Sequence, residues 1–251
     1  MTSYPIWQPL VEELARRQRA DRKAEFWLRD DDAADPTPEL DRLLALTGEF
    51  AVPLTLAVIP ASTDEKLAAR LDEAPHATVA VHGWAHRNHA PEDQKKQELG
   101  QHRPREAVLD ESARALSRVT ALHGARAVPM LVPPWNRIDA GLISDLPSIG
   151  FTALSVYGPP KPASLAVINS NVDIMDWHGT RGCRDHGLLV QAIVAQLQHD
   201  DGEPVGLLTH HLVHDESAWL FLERLFTITT RAEACAWLPI RTLIGRHAGG
   251  A

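Results

Sequence analysis

Short apolar runs bounded by turn residues recur along this chain, and amphipathic stretches lie between most of them. The runs cover Ala24–Leu28, Pro53–Ile59, Ala77–Val81, Val128–Val132, Thr152–Val156, Val172–Met175 and Val205–Thr209. Their length and continuous hydrophobicity suit parallel strands buried on both faces. The intervening segments Glu39–Phe50, Lys66–Asp72, Arg105–Ala121, Gly141–Ile149 and Gly187–Gln198 carry helical periodicity. Such alternation predicts a parallel sheet with covering helices, and six or seven repeats over this length favour a (β/α) barrel over an open sheet. The apolar stretches Phe221–Ile228 and Ala232–Leu243 read as helices closing the C-terminus, and residues 1–24 as a helix packed on the barrel. No composition break divides residues 1–251, so one domain is expected.

Charge and composition narrow the function. A net charge of −8 argues against nucleic acid as a partner, because phosphate binding needs a basic surface. No apolar run is long enough to span a bilayer, and no membrane partner is expected. Cys183 and Cys235 are the only cysteines, which suggests reduced thiols rather than a disulfide framework. With a polar N-terminal stretch unlike a secretory signal, the expected location is cytoplasmic.

In parallel α/β folds the functional groups gather at the carboxyl ends of the strands. Three runs stand at such ends: Arg29-Asp30-Asp31-Asp32, His82-Gly-Trp-Ala-His86 and Leu208-Thr-His210-His211. Three consecutive aspartates need solvent, a metal or an arginine to relieve their repulsion; taken alone, they also suit a helix start, with Asp35 before Pro36-Thr37-Pro38 as the capping region. His82 and His86 reach one ion if the segment turns helically, and His89 lies one turn further on. A late histidine such as His210 suits a general acid. Val132-Pro133-Pro134-Trp135 is a stiff turn after a strand, and Asp173-Ile-Met-Asp176-Trp177 offers an aromatic wall with a carboxylate beside it.

Taken in order, the Asp-Asp, His-x-x-x-His, Pro-Pro-Trp, Asp-x-x-Asp-Trp and Leu-x-His motifs resemble the polysaccharide deacetylases, the NodB-homology fold of carbohydrate esterase family 4. The resemblance spans about Phe26 to His210. It implies a distorted (β/α) barrel of about seven parallel strands and a divalent metal, usually Zn2+, held by one aspartate and two histidines. It further implies Asp31 as catalytic base and Asp32, His82 and His86 as metal ligands. Trp135 matches the residue whose amide meets the oxyanion, Asp176 and Trp177 match the fourth motif, and His210 matches the general acid. The expected activity is removal of an acyl group, commonly acetyl, from an amino-sugar or related small-molecule or oligosaccharide substrate.

The chain departs from that pattern. Val132 stands where the family has an arginine that holds the catalytic aspartate, and the first-motif glycine is missing. Arg29 lies two residues before Asp31, hence on the same side of an extended strand, and can substitute, as can Arg137. A register with Asp30 as base and Asp31 as ligand is the alternative in the first motif. Two other functions also fit the residues: a glycan-binding protein that keeps the metal site without turnover, and a non-haem iron enzyme using a two-histidine, one-carboxylate triad.

Overall fold

The computed structural model describes residues 5–199 and 202–248, so the predicted start of the first helix at residues 1–4 lies outside the described residues. One sheet, with parallel pairing between all its strands, organises the chain. In chain order the strands are β1 (Ala24–Ala33), β2 (Leu54–Val58), β3 (Ala77–His82), β4 (Ala127–Val132), β5 (Ala153–Leu154), β6 (Ala166–Val167), β7 (Val172–Asp173), β8 (Val205–Thr209) and β9 (Cys235–Trp237). Their spatial order is β6-β5-β4-β3-β2-β1-β8-β7, with β9 added beside the first residues of β1. The helices are α1 (Gln8–Arg19), α2 (Pro38–Glu49), α3 (Glu65–Asp72), α4 (Arg105–His123), α5 (Ala140–Ile143), α6 (His186–Gln198), α7 (Glu216–Thr229) and α8 (Ile240–Ala248).

The sheet curls into the expected distorted barrel, and its closure is unusual. β6 and β7 are the two ends of one extended stretch that changes partners midway. Ile168 and Ser170 donate to Leu154 and Val156 on the β5 side, whereas Asn171 and Ile174 donate to Gly206 and Leu208 of β8. The covalent chain thus joins the two edges of the sheet, where a regular barrel would have a ladder.

Two apolar layers result from strand alternation. Phe26, Leu28, Leu54, Leu56, Val79, Val81, Leu131 and Leu207 face the helices. Trp27, Ala57, Ala80, Val128, Met130, Val132 and Ala153 fill the barrel with Ile168, and Ile240 and Leu243 of α8 join them from below. Small residues on the inner face leave room for the Trp27 indole: a Cβ on Gly206 would lie 2.5 Å from Trp27 Nε1. Arg241 bonds the carbonyls of Ala125 and Ala127, and Arg246 bonds Glu25, so α8 is fastened across the N-terminal ends of β4 and β1.

Several sequence expectations need correction. Ala232–Leu243 is not one helix, because Cys235–Trp237 pairs with β1 and the helix starts only at Ile240, after Pro239. Gly141–Ile149 breaks into α5 and a 3-10 turn at Leu146–Ile149, since Pro147 has no N–H to continue an α-helix. The last long helix begins five residues earlier than its apolar stretch, capped by Asp215 accepting from the Ala218 amide. Thr37, not Asp35, caps α2 by accepting from the Leu40 amide at 3.1 Å. The three aspartates belong to β1 itself, which runs on to Ala33.

Candidate active site

Strand β1 sends its acidic residues in different directions. By alternation Asp30 follows Phe26 and Leu28 to the outer face, where it is fully buried. It accepts from Thr209 Oγ1 at 2.6 Å, from the His211 amide at 2.8 Å and from His211 Nδ1. Burial opposes both charges, yet mutual attraction prevails: Asp30 is held below and His211 above their ordinary pKa values. Asp30 is therefore a structural ion-pair partner behind the sheet, and the alternative register does not bring it to the site.

Arg29 and Asp31 follow Trp27 to the inner face. Arg29 has no exposed surface, so its guanidinium must find its partners inside the protein. Nη2 donates to Asp31 Oδ2 at 3.0 Å and to Asn136 Oδ1 at 2.6 Å, while Nη1 donates to Ser155 Oγ at 2.7 Å. Nε lies 2.9 Å from Asp31 Oδ1 without hydrogen-bond geometry, so the pair makes one hydrogen bond and a second close charge contact, a two-point ion pair. The other candidate, Arg137, bonds the Lys96 carbonyl instead.

Asp32 would return to the outer face by alternation, but its φ of +72° turns it back toward the barrel mouth. There its Oδ1 lies 3.0 Å from His82 Nε2 and 3.3 Å from His86 Nε2. The ligand atoms of Asp32, His82 and His86 all lie within 4.8 Å of one another, the single group of this kind among the described residues. His82 ends β3 and donates through Nδ1 to the Val132 carbonyl at 2.9 Å, which aims Nε2 at Asp32. His86 reaches the same point because the intervening turn has positive φ at Gly83 (+59°) and again at His86 (+53°).

This donor set suits a divalent cation. Two imidazole nitrogens and a carboxylate oxygen converge, and such acceptors repel unless a positive charge lies between them. Burial disfavours charge on His82, but the Asp32 hydrogen bond and the charges of Asp31 and Asp32 raise its pKa. Asp32 is likewise pushed up by burial, yet His82, His210 and His86 hold it well below the usual carboxylate range. His86 is lowered by burial and by His82. His89 stands apart from the cluster, and its amide donates to the Gln97 carbonyl.

Two further loops complete the mouth. After β4, Trp135 and Asn136 both have positive φ (+55° and +57°), and the Trp135 ring packs 4.4 Å from that of His86. Together with Asp32 and His86 they concentrate left-handed, non-glycine backbone here, a cost of about 1–3 kcal/mol each that surrounding contacts must offset. Beyond β8, His210 meets the edge of Trp177 at 4.7 Å. Trp177 Nε1 in turn donates to Asp173 Oδ2 at 2.8 Å. Burial raises the Asp173 carboxyl despite the Met175 amide, the charge of His210 and Trp177.

Asp176 does not join this group. Its carboxylate accepts from the amides of Gly179 and Thr180, capping the turn after Trp177, and those bonds lower its pKa. Asp173, half-buried at the end of β7, instead holds the place beside Trp177. Ser155, Asn136 and Glu98 are the other contributors that sequence reading missed. Each acts through a hydrogen bond to a residue more than ten positions away.

No protein-family model and no curated protein sequence matches this chain. Solved structures do. The chain superposes on a provisionally assigned polysaccharide deacetylase from Mycobacterium smegmatis with a TM-score of 0.69 and 14% identity, covering 90% of this chain and 91% of that one. It also matches a family 4 acetyl xylan esterase from Clostridium thermocellum in complex with a cobalt ion (TM-score 0.58, 14% identity, 89% and 92% covered). A third match is a mutant of a CE4 family pseudoenzyme with restored enzymatic activity (TM-score 0.61, 16% identity, 88% and 68% covered). The chain has the fold of these proteins.

Proposed function

We propose that this protein is a divergent member of the polysaccharide deacetylase family, and a metal-dependent hydrolase that removes an acyl group, most simply acetyl, from an amino-sugar or related N-acyl compound. The observation that carries the reading is the two-point pairing of Asp31 with the buried Arg29 at the rim of the Asp32–His82–His86 cluster. That arrangement supplies a fixed base beside a cation site although Val132 stands where the family has its arginine. The fold of the deacetylases and esterases above supports the reaction class. Free Cys183 and Cys235 agree with a reducing, cytoplasmic setting.

Asp32, His82 and His86 would hold the ion, Zn2+ by preference for this donor set; when bound it polarises the acyl carbonyl and acidifies water. Asp31, unable to rotate while Arg29 grips one edge, accepts the proton of the attacking water. We assign the backbone N–H of Trp135 to the developing oxyanion, a contribution worth about 3–4 kcal/mol in acyl transfer. His210 protonates the departing amine, with Trp177 and Asp173 fixing its side of the mouth. A small-molecule or oligosaccharide N-acyl substrate fits these roles.

The test is acetate release from a panel of N-acetyl sugars and oligosaccharides, with metal content measured alongside. Wild-type protein should bind about one divalent ion and turn over at least one such compound. His82→Ala and His86→Ala should each lose the ion with the fold intact. Asp31→Asn should retain it and lose turnover by at least about 100-fold, the usual scale for a general base. Metal-replete protein that binds glycans without releasing acetate would overturn the enzymatic reading in favour of a binding protein.

A further inference from the structure

Between the His86 turn and α4 lies a polar excursion, residues 87–104, that the motifs leave without a role. Its last part returns to the barrel mouth and places Glu98 in a buried position, 1% exposed. Among the described residues no cationic side chain bonds this carboxylate. Its three hydrogen bonds come from backbone amides of the turn that follows His82: Ala85 at 2.8 Å and Arg87 at 3.2 Å to Oε1, and Trp84 at 3.1 Å to Oε2. These amides bracket His86, whose own backbone is in the left-handed region.

The fit leaves no slack. A Cβ on Gly83 would collide with Glu98 Oε2 and lie 2.7 Å from Pro134 Cδ and Cγ. The carboxylate is thus wedged against the metal-side turn, which itself abuts the turn before Trp135. The next residue extends the same strut: the Leu99 carbonyl accepts from the Asp139 amide at 2.8 Å, and Leu99 bridges Ile138 in parallel. Glu98–Leu99 therefore ties the loop carrying His86 to the loop carrying Trp135.

We infer that Glu98 is a positioning residue for the metal site, holding the His86 turn in its left-handed conformation through three amide hydrogen bonds, so that His86 converges on Asp32 and His82. Removing the one carboxylate that three part-buried amides share releases that turn, because peptide N–H groups that lose their partner in a partly desolvated site are costly to leave unpaired. His82 escapes the effect, being fixed by β3 and the Val132 carbonyl. This inference rests on the proposed metal site, but its first readout does not.

Hydrogen exchange of the ion-free protein should show the Trp84, Ala85 and Arg87 amides protected in wild type and at least about 10-fold faster in Glu98→Ala, with β3 unchanged. Titration with Co2+ and Zn2+ should then show affinity weakened about 10–100-fold, the range typical when a ligand's outer support is lost. The visible Co2+ spectrum should change because one imidazole is displaced. Gln at this position keeps one acceptor oxygen for Ala85 and Arg87, so Glu98→Gln should recover part of the affinity. Val119→Ala, a core change on α4, controls for lost stability and should leave affinity and spectrum alone.

Unchanged amide exchange in Glu98→Ala, or wild-type Co2+ affinity and spectrum in that variant, would overturn the inference. So would an equal loss of affinity in Val119→Ala. Wild-type protein that binds neither ion would instead defeat the proposed metal site, leaving the exchange result to decide whether Glu98 holds the turn.

Discussion

At the scale of single residues, the departure that matters most is the exchange of an arginine for Val132. The guanidinium is not lost: Arg29 supplies it from the same strand as its carboxylate, two residues away. An i, i+2 pair within a strand shares a face, so the long Arg29 side chain can reach the Asp31 carboxylate. Asn136 and Ser155, from neighbouring loops, accept from the same guanidinium and fix its orientation. Replacing Arg29 with Met should cut kcat by about 100-fold or more while metal affinity stays within a few-fold, since no ligand atom is removed. Steady-state kinetics with metal titration checks it, and equal losses in both would place Arg29 in the scaffold alone. The face-sharing of Arg29 and Asp31 was legible in the sequence; Asn136 as a partner of the guanidinium was not, because its reach depends on a left-handed turn that no motif announces.

At the scale of elements, β1 serves as a two-sided plank whose inner edge carries the proposed base and whose outer edge carries a buried ion pair. The Asp30–His211 contact links the end of β1 to the turn after β8 and fixes where His210 begins. His211 is raised above its reference value of 6.5, so its share of the stability is complete below that pH and disappears as pH rises through the higher folded value. Asp30 is lowered below 3.8, so its share is present above that value and disappears on acidification through the lower folded one. Asp30→Asn should therefore cost most between about pH 4 and 6.5, on the order of 3–5 kcal/mol for breaking a buried pair. Denaturant unfolding across pH gives the profile, and a constant difference from pH 4 to 9 would contradict it. Strand positions with long apolar runs, such as β2, β3 and β8, could be read from sequence. The short β9 could not, because its Cys-Ala-Trp sits inside a longer apolar stretch and is fixed by pairing with β1 rather than by local preference.

For the whole molecule, alternation of strand and helix was enough to predict a barrel, and the order of the motifs was enough to place their loops at one end. Closure was not predictable in that way, because β6 and β7 are two residues each and owe their existence to partners on opposite sides. Barrels sealed by a continuous ladder open only by breaking several bonds cooperatively. Here the peptide between Ser170 and Asn171 is a seam: upstream amides report to one arc of the wall, downstream amides to the other. Native-state hydrogen exchange should sort Ile168 and Ser170 with β5, and Asn171 and Ile174 with β8, as two protection classes differing in opening free energy. A single class across 166–174 would mean the wall behaves as one body. If there are two, the wall can part at the seam while β8, which leads to His210, stays laddered to β1, which bears Asp31 and Asp32. The proposed donor of the final proton would then share one cooperative unit with the proposed base, and only the edges at β6 and β7 would breathe away from them.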